Sequence, residues 1–172
     1  MEVSVVNTGG VSLGDWQGFL IAEVGASAAL TGLIFVSVSI NLKRILSFPK
    51  LPNRAFGALL LFGTVLVVSS LLLVPGQSIE ANGVEIAAVG LVTWVVFVVL
   101  EIVYWRSTKA KYRGTLIPLA MMNQVALLSY VAAGVLLMLR FPNGMYLTVP
   151  AFLLSILKGL LDSWVLLVEI NR

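Results

Sequence analysis

The sequence predicts an all-α polytopic membrane helix bundle, with five transmembrane helices in a single domain over 1–172. Three observations predict it. Hydrophobic residues make up 59% of the chain and charged residues 11%, against about 45–50% and about 25% in soluble domains. Mean hydropathy is +1.03. Five apolar runs reach the length of about 20 residues that a helix needs to cross a bilayer core of about 30 Å. The basic residues fall in alternate loops between those runs. Helices are the expected form, because lipid offers no partner to an unpaired backbone group.

The spans are read at 16–42, 55–74, 84–105, 116–139 and 147–170. Span one is too long for a cleaved signal peptide, and its basic residues follow it instead of preceding it. Pro49 and Pro52 break the stretch after it. Pro75-Gly76 and Asn82-Gly83 are expected to bracket a short turn between spans two and three. Pro142-Asn143-Gly144 marks another turn, and Thr148, two residues before Pro150, marks the start of span five.

Orientation follows from Lys and Arg. Lys43, Arg44, Lys50 and Arg54 follow span one, Arg106, Lys109, Lys111 and Arg113 follow span three, and Arg172 ends the chain. The other side carries Arg140, and Lys158 lies within a span. The positive-inside rule then puts the N-terminus outside and the C-terminus in the cytoplasm. Glu2, Asp15, Glu80 and Glu85 fall outside, and Trp16, Phe141, Tyr146, Tyr104 and Trp105 stand where an aromatic belt would. The net charge of +3 reflects this topology, and no nucleic-acid partner is expected. The expected compartment is a bacterial inner membrane, with the lipid bilayer as the first partner.

Charges inside spans are expensive and mark function or structure. At about 1.5 Å per residue, Glu23 and Lys158 lie at similar depths, so a Glu23–Lys158 pair is expected. Asp162 is four residues after Lys158 on the same face. Asn123 and Gln124 lie close to the Asp162 level. Glu23, Lys158, Asp162, Asn123 and Gln124 are therefore the candidate buried polar network, either a structural lock on helix register or a conduction pathway. Glu101 is expected to pair with Arg106 or Lys109 near the surface, or simply to snorkel there. Span five carries a polar stripe, Ala151, Ser155, Lys158, Asp162, Val165 and Glu169, spaced by three or four.

Span one carries another stripe: Glu23, Ser27, Thr31, Ile34, Val38 and Asn41. These are the candidate pore-lining residues. Around a symmetry axis they would give an acidic ring, hydroxyls and a hydrophobic constriction that can gate by dewetting. The alternative is that the hydroxyls bond to their own helix. The same span holds Ala22, Gly25, Ala26, Ser27, Ala28, Ala29 and Gly32, with small-xxx-small spacing. Such residues let backbones approach, so span one is expected at the centre of the protomer.

The chain has no Cys and no His, which removes thiol chemistry and the commonest acid–base group and metal ligand. No phosphate-cradling loop, hydrolase constellation or metal-ligand cluster is present in the sequence, so neither an enzyme nor a cofactor is expected.

The segment GASAALTGLIFVSVSINL, from Gly25 to Leu42, resembles the first span of a family of small uncharacterised bacterial multipass proteins. Some members carry labels as modulators of a membrane AAA protease. The resemblance implies a five-span fold and a membrane compartment, and assigns no functional residue. Ser27 to Val38 is also similar to the pore helix of Orai calcium channels. That family has four spans, its acidic filter follows the matching stretch, and its helix crosses the membrane the other way. Here Glu23 precedes the stretch, so no site residue carries over.

The leading expectation is a homo-oligomeric ion channel with span one near the axis. The alternative is a non-conducting membrane regulator or assembly factor, as in membrane protein quality control. The third is a small proton- or ion-coupled transporter that uses Glu23, Lys158 and Asp162.

Overall fold

Long apolar runs fold here as uninterrupted helices. The computed structural model describes residues 13–48, 51–107, 114 and 116–170. They form α1 (Leu13–Ile40), a short α2 (Leu42–Ser47), α3 (Leu51–Leu72), α4 (Ile79–Ser107), α5 (Ile117–Met138), a 3-10 helix (Pro142–Leu147) and α6 (Thr148–Ile170). There is no strand among the described residues. Five helices are long and apolar enough to cross a membrane.

Two helix starts differ from the sequence reading. α3 begins at Leu51, so Pro52 lies in its first turn and does not break it. Proline is tolerated there because the first-turn N–H groups have no intrahelical acceptor. Arg54 is thereby a helix residue and not a loop residue. α4 begins at Ile79, so Asn82-Gly83 sits inside the helix. The turn before it spans residues 73–78, and Ser78 Oγ accepts from the Ala81 backbone N–H at 3.2 Å as an N-cap does. Gly83 is required by packing. A Cβ there would stand 2.6 Å from the Met138 backbone nitrogen, and one on Gly134 would stand 2.6 Å from the Gly83 carbonyl. The α4–α5 backbones therefore touch through this glycine pair. Thr148 begins α6, as the sequence indicates.

α3, α4, α5 and α6 pack in a ring, each on the next and α6 back on α3. α1 runs outside the ring along α3 and meets α6 at few positions. The expectation of a central span one is therefore corrected. Apart from the buried Ser27, its small residues are exposed, and a Cβ on Gly25 or Gly32 would meet nothing within 4 Å. Small residues permit close approach without specifying which neighbour makes it.

The bundle has two distinct ends. One carries Arg44, Arg54 and Arg106 and is called the basic end; Lys50, Lys109, Lys111, Arg113 and Arg172, like Glu2, lie outside the described residues. At the far end the start of α1 meets the 3-10 helix, with Trp16 and Tyr146 ring centroids 5.1 Å apart. Here α5 closes through Arg140, which takes φ 63°, and the Phe141 N–H donates to the Leu136 carbonyl at 2.9 Å. Leu61, Val65, Leu127, Tyr130 and Phe152 belong to the larger apolar core. Ile34, Ile45, Ala58, Phe62 and Leu166 form a smaller one. α2 tucks Ile45 into that second core and leaves Lys43 and Arg44 exposed.

Candidate functional site

α6 supplies the first charges. Ser155, Lys158 and Asp162 share one face by their spacing, and all are buried. A charge cannot favour lipid, so the stripe turns into the bundle. Lys158 Nζ donates to Asp162 Oδ2. The other carboxylate oxygen, Oδ1, lies 3.8 Å from Arg54 Nη1. Arg54 Nη2 donates to the Tyr104 hydroxyl at 3.4 Å, and the guanidinium sits 5.9 Å from the Tyr104 ring centroid. One carboxylate thus serves two cations from two helices.

The second acid is Glu101 of α4. Asn123 Nδ2 donates to its Oε1 at 2.9 Å and Gln124 Nε2 to its Oε2 at 2.8 Å. Trp94 Nε1 in turn donates to Gln124 Oε1 at 2.6 Å. Adjacent amides on α5 therefore hold both oxygens of one carboxylate on α4. Glu101 is thus held by α5 amides and not by the expected Arg106; Lys109, the other expected partner, lies outside the described residues. The pattern explains why two consecutive amides stand in an apolar span: each satisfies a polar group that would otherwise be buried alone.

The two groups face one cavity of about 120 Å³, lined by Arg54, Glu101, Tyr104, Asn123, Lys158 and Asp162 among others. Asn53, Trp105 and Leu116 also line it, and each stands near a helix terminus at the basic end. By helical rise, Arg54 lies about 5 Å from the start of its helix, and Glu101 and Asn123 each about 9 Å from the nearer terminus. The cavity therefore reaches from the basic end into the bundle. Beyond it on α3, α5 and α6 come the fully buried Leu61, Val65, Leu127, Tyr130 and Phe152.

Of the expected network, Lys158, Asp162 and Asn123 meet at this cavity, and Gln124 joins through Glu101. Glu23 does not. Its expected pairing with Lys158 is absent, since Lys158 is bound to Asp162. Glu23 is 8% exposed and its Oε2 has no hydrogen-bond partner. It lies within electrostatic reach of Tyr130, whose hydroxyl is 3.2 Å from Ser155 Oγ. Glu23 lies ten residues into α1, about 15 Å from its start at the far end.

The rest of the α1 stripe faces into the protomer. Ser27 and Ile34 are buried, and Val38 packs beside Ile34 in the smaller core. The polar members bond along their own helix. Ser27 Oγ donates to the Glu23 carbonyl at 2.6 Å, Thr31 Oγ1 to the Ser27 carbonyl at 2.7 Å and Asn41 Nδ2 to the Ser37 carbonyl at 3.0 Å. This is the self-bonding alternative for hydroxyls in a membrane helix.

Sequence reasoning missed Arg54, Glu101, Trp94 and Tyr104 as site residues. Arg54 was hidden by a span boundary set four residues late. Glu101 could have been found from its spacing: six residues before the end of α4, it matches the depth of Asn123 on the antiparallel α5. No group of three or more His, Cys, Asp or Glu among the described residues could hold a metal ion. Comparison with protein-family models, with curated proteins and with solved structures gives no match for this chain.

Proposed function

We propose that this chain is a small proton-coupled membrane carrier whose charged cavity takes up a polar solute. Its membrane is the bacterial inner membrane, with the basic end and C-terminus in the cytoplasm and the N-terminus outside, as the positive-inside rule requires. The observation that carries the proposal is a cavity that ends inside the bundle. It reaches the basic end, is lined by Arg54, Lys158, Asp162 and Glu101, and stops at packed Leu61, Leu127 and Tyr130. Carriers bind at mid-depth and expose the site to one side at a time; a channel needs a continuous path.

The far side supports the same reading. Ser69 Oγ and both polar atoms of the Asn82 side chain are buried with no hydrogen-bond partner. Such atoms are costly when dry, and a state open to the far end would hydrate them. Glu23, buried beside Tyr130 and Ser155, would take the coupling proton, and α6 joins it to Lys158 and Asp162. The packed α1 stripe weighs against a pore, because lining an axis would pull Ser27 and Ile34 out of the protomer.

A second reading, a regulator or assembly factor that works by lateral contact, draws on the outer face of α1. Gly18, Ala22, Gly25, Ala29 and Gly32 are exposed there, and small residues at that spacing suit a neighbouring helix. A homo-oligomer would use the same face.

The test uses the absence of cysteine in the chain. Ala120→Cys lines the cavity and Ser69→Cys reports the far side. Without a gradient, an impermeant thiol reagent should label Ala120→Cys from the cytoplasm and spare Ser69→Cys. An outside-acid gradient should protect the first and expose the second, and Glu23→Gln should abolish the change. Labelling that ignores the gradient at both positions would leave the lateral regulator as the better reading.

A further inference from the structure

We infer that the cavity binds a small zwitterion, an α-amino acid with a short side chain, held by its carboxylate on Arg54 and by its ammonium group on Asn123 and Glu101. This rests on the carrier reading for its transport role, though the binding site stands on its own geometry.

Charge balance comes first. The lining carries two cations, Arg54 and Lys158, and two anions, Asp162 and Glu101. A monovalent ion of either sign would leave a net charge in a poorly solvated site, which is costly. A zwitterion adds none, and it supplies one charge of each sign where local pairing is incomplete.

The bonds already made decide where those charges go. Lys158 is occupied by Asp162. Both oxygens of Glu101 accept from amides, yet a carboxylate has about four acceptor positions, so two directions remain. Two buried atoms around the cavity have no hydrogen-bond partner: Arg54 Nη1, a charged donor that faces Asp162 Oδ1 at 3.8 Å, beyond hydrogen-bond distance, and Asn123 Oδ1, an acceptor. Asn123 is only 5% exposed, and its Nδ2 is fixed on Glu101, which leaves Oδ1 unsatisfied. The open donor belongs to α3 and the open acceptor to α5, and both residues line the cavity. A guanidinium prefers a carboxylate, and an ammonium group has three donors to spread over an amide oxygen and a carboxylate.

Size narrows the class. A volume of about 120 Å³ is several times the ~10–15 Å³ of such space that one water needs, which suits a small solute such as glycine, alanine or serine. Phe97, Tyr104 and Trp105 supply the apolar and aromatic part of the wall.

The test is equilibrium binding to the full chain in detergent micelles, with glycine, alanine, propionate and ethylamine as probes. Alanine and glycine should bind and raise the melting temperature. Propionate and ethylamine, each lacking one charged group, should bind at least about tenfold more weakly, because each leaves one buried partner unmet. Arg54→Lys, which keeps the charge and loses the fork, should weaken alanine binding. Asn123→Leu should weaken it too and leave propionate unchanged. Should a variant fail to fold, the ranking of the four probes on the parent chain still decides. Propionate binding as tightly as alanine, or no binding of alanine and glycine at millimolar concentration to folded protein, would overturn the inference. No alanine binding with gradient-switched labelling of Ala120→Cys would sink the zwitterion and keep the carrier. Alanine binding without switching would keep the site and sink the carrier.

Discussion

Asp162 is the residue on which the charged cluster turns, because Lys158 and Arg54 both lean on its carboxylate. Removing it strands the buried Lys158 and takes the carboxylate partner from the partly exposed Arg54. Removing Lys158 leaves Asp162 with Arg54 as partner. Asp162→Ala should therefore cost about 3–5 kcal/mol, the usual penalty for breaking a buried pair, and Lys158→Ala clearly less. Unfolding in mixed micelles measures the order, and equal losses would mean that Arg54 does not support Asp162. A double-mutant cycle between Glu23 and Lys158 should show additivity within about 0.5 kcal/mol, as expected for groups without a shared partner. The sequence made Lys158–Asp162 readable because a spacing of four on one helix fixes the geometry. Partners on other helices were less readable. Matching depth suggested Glu23 for Lys158, but depth fixes only the level, and α6 packs chiefly on α3 and α5 and meets α1 at few positions.

Elements differ in how firmly their packing is set. α4 and α5 meet through Gly83 and Gly134, where any side chain collides with backbone. Gly134→Ala should destabilise the fold by about 1–3 kcal/mol, the range for overpacking a close contact. Gly25→Ala and Gly32→Ala should not destabilise the protomer, since their Cβ atoms meet open space and alanine is the better helix former. If those two variants nonetheless alter migration on native gels, a neighbour packs on α1. The number and order of the spans were legible from apolar length and loop punctuation. The role of Asn82-Gly83 was not, because the same dipeptide suits a turn and a tight helix contact. The centrality of α1 was misread for a related reason. The buried seam of Leu20, Glu23, Ser27 and Ile34 has helical spacing, and one seam is compatible with a helix at the edge.

At the scale of the whole molecule, the four-helix ring holds its Arg54–Asp162–Lys158 cluster toward the basic end, whereas the Glu80–Arg140 pair stands at the far end. The proposed topology predicts that Ser78→Cys and Asn143→Cys react with an impermeant reagent from outside, whereas Arg44→Cys and Arg106→Cys react only from the cytoplasm. The reverse pattern would invert every statement about sidedness. The central claim is that this ring has two states, open at opposite ends. Spin labels at Phe56 and Val103 report the basic end, and labels at Val67 and Val84 report the far end; all four side chains are exposed on α3 or α4. Pulsed electron-resonance distances, measured in liposomes at pH 7.5 and pH 5.5, test it most directly. Two populations are predicted for each pair, with acid shortening the Phe56–Val103 distance and lengthening the Val67–Val84 distance. A single distribution at both ends that ignores pH would contradict the carrier.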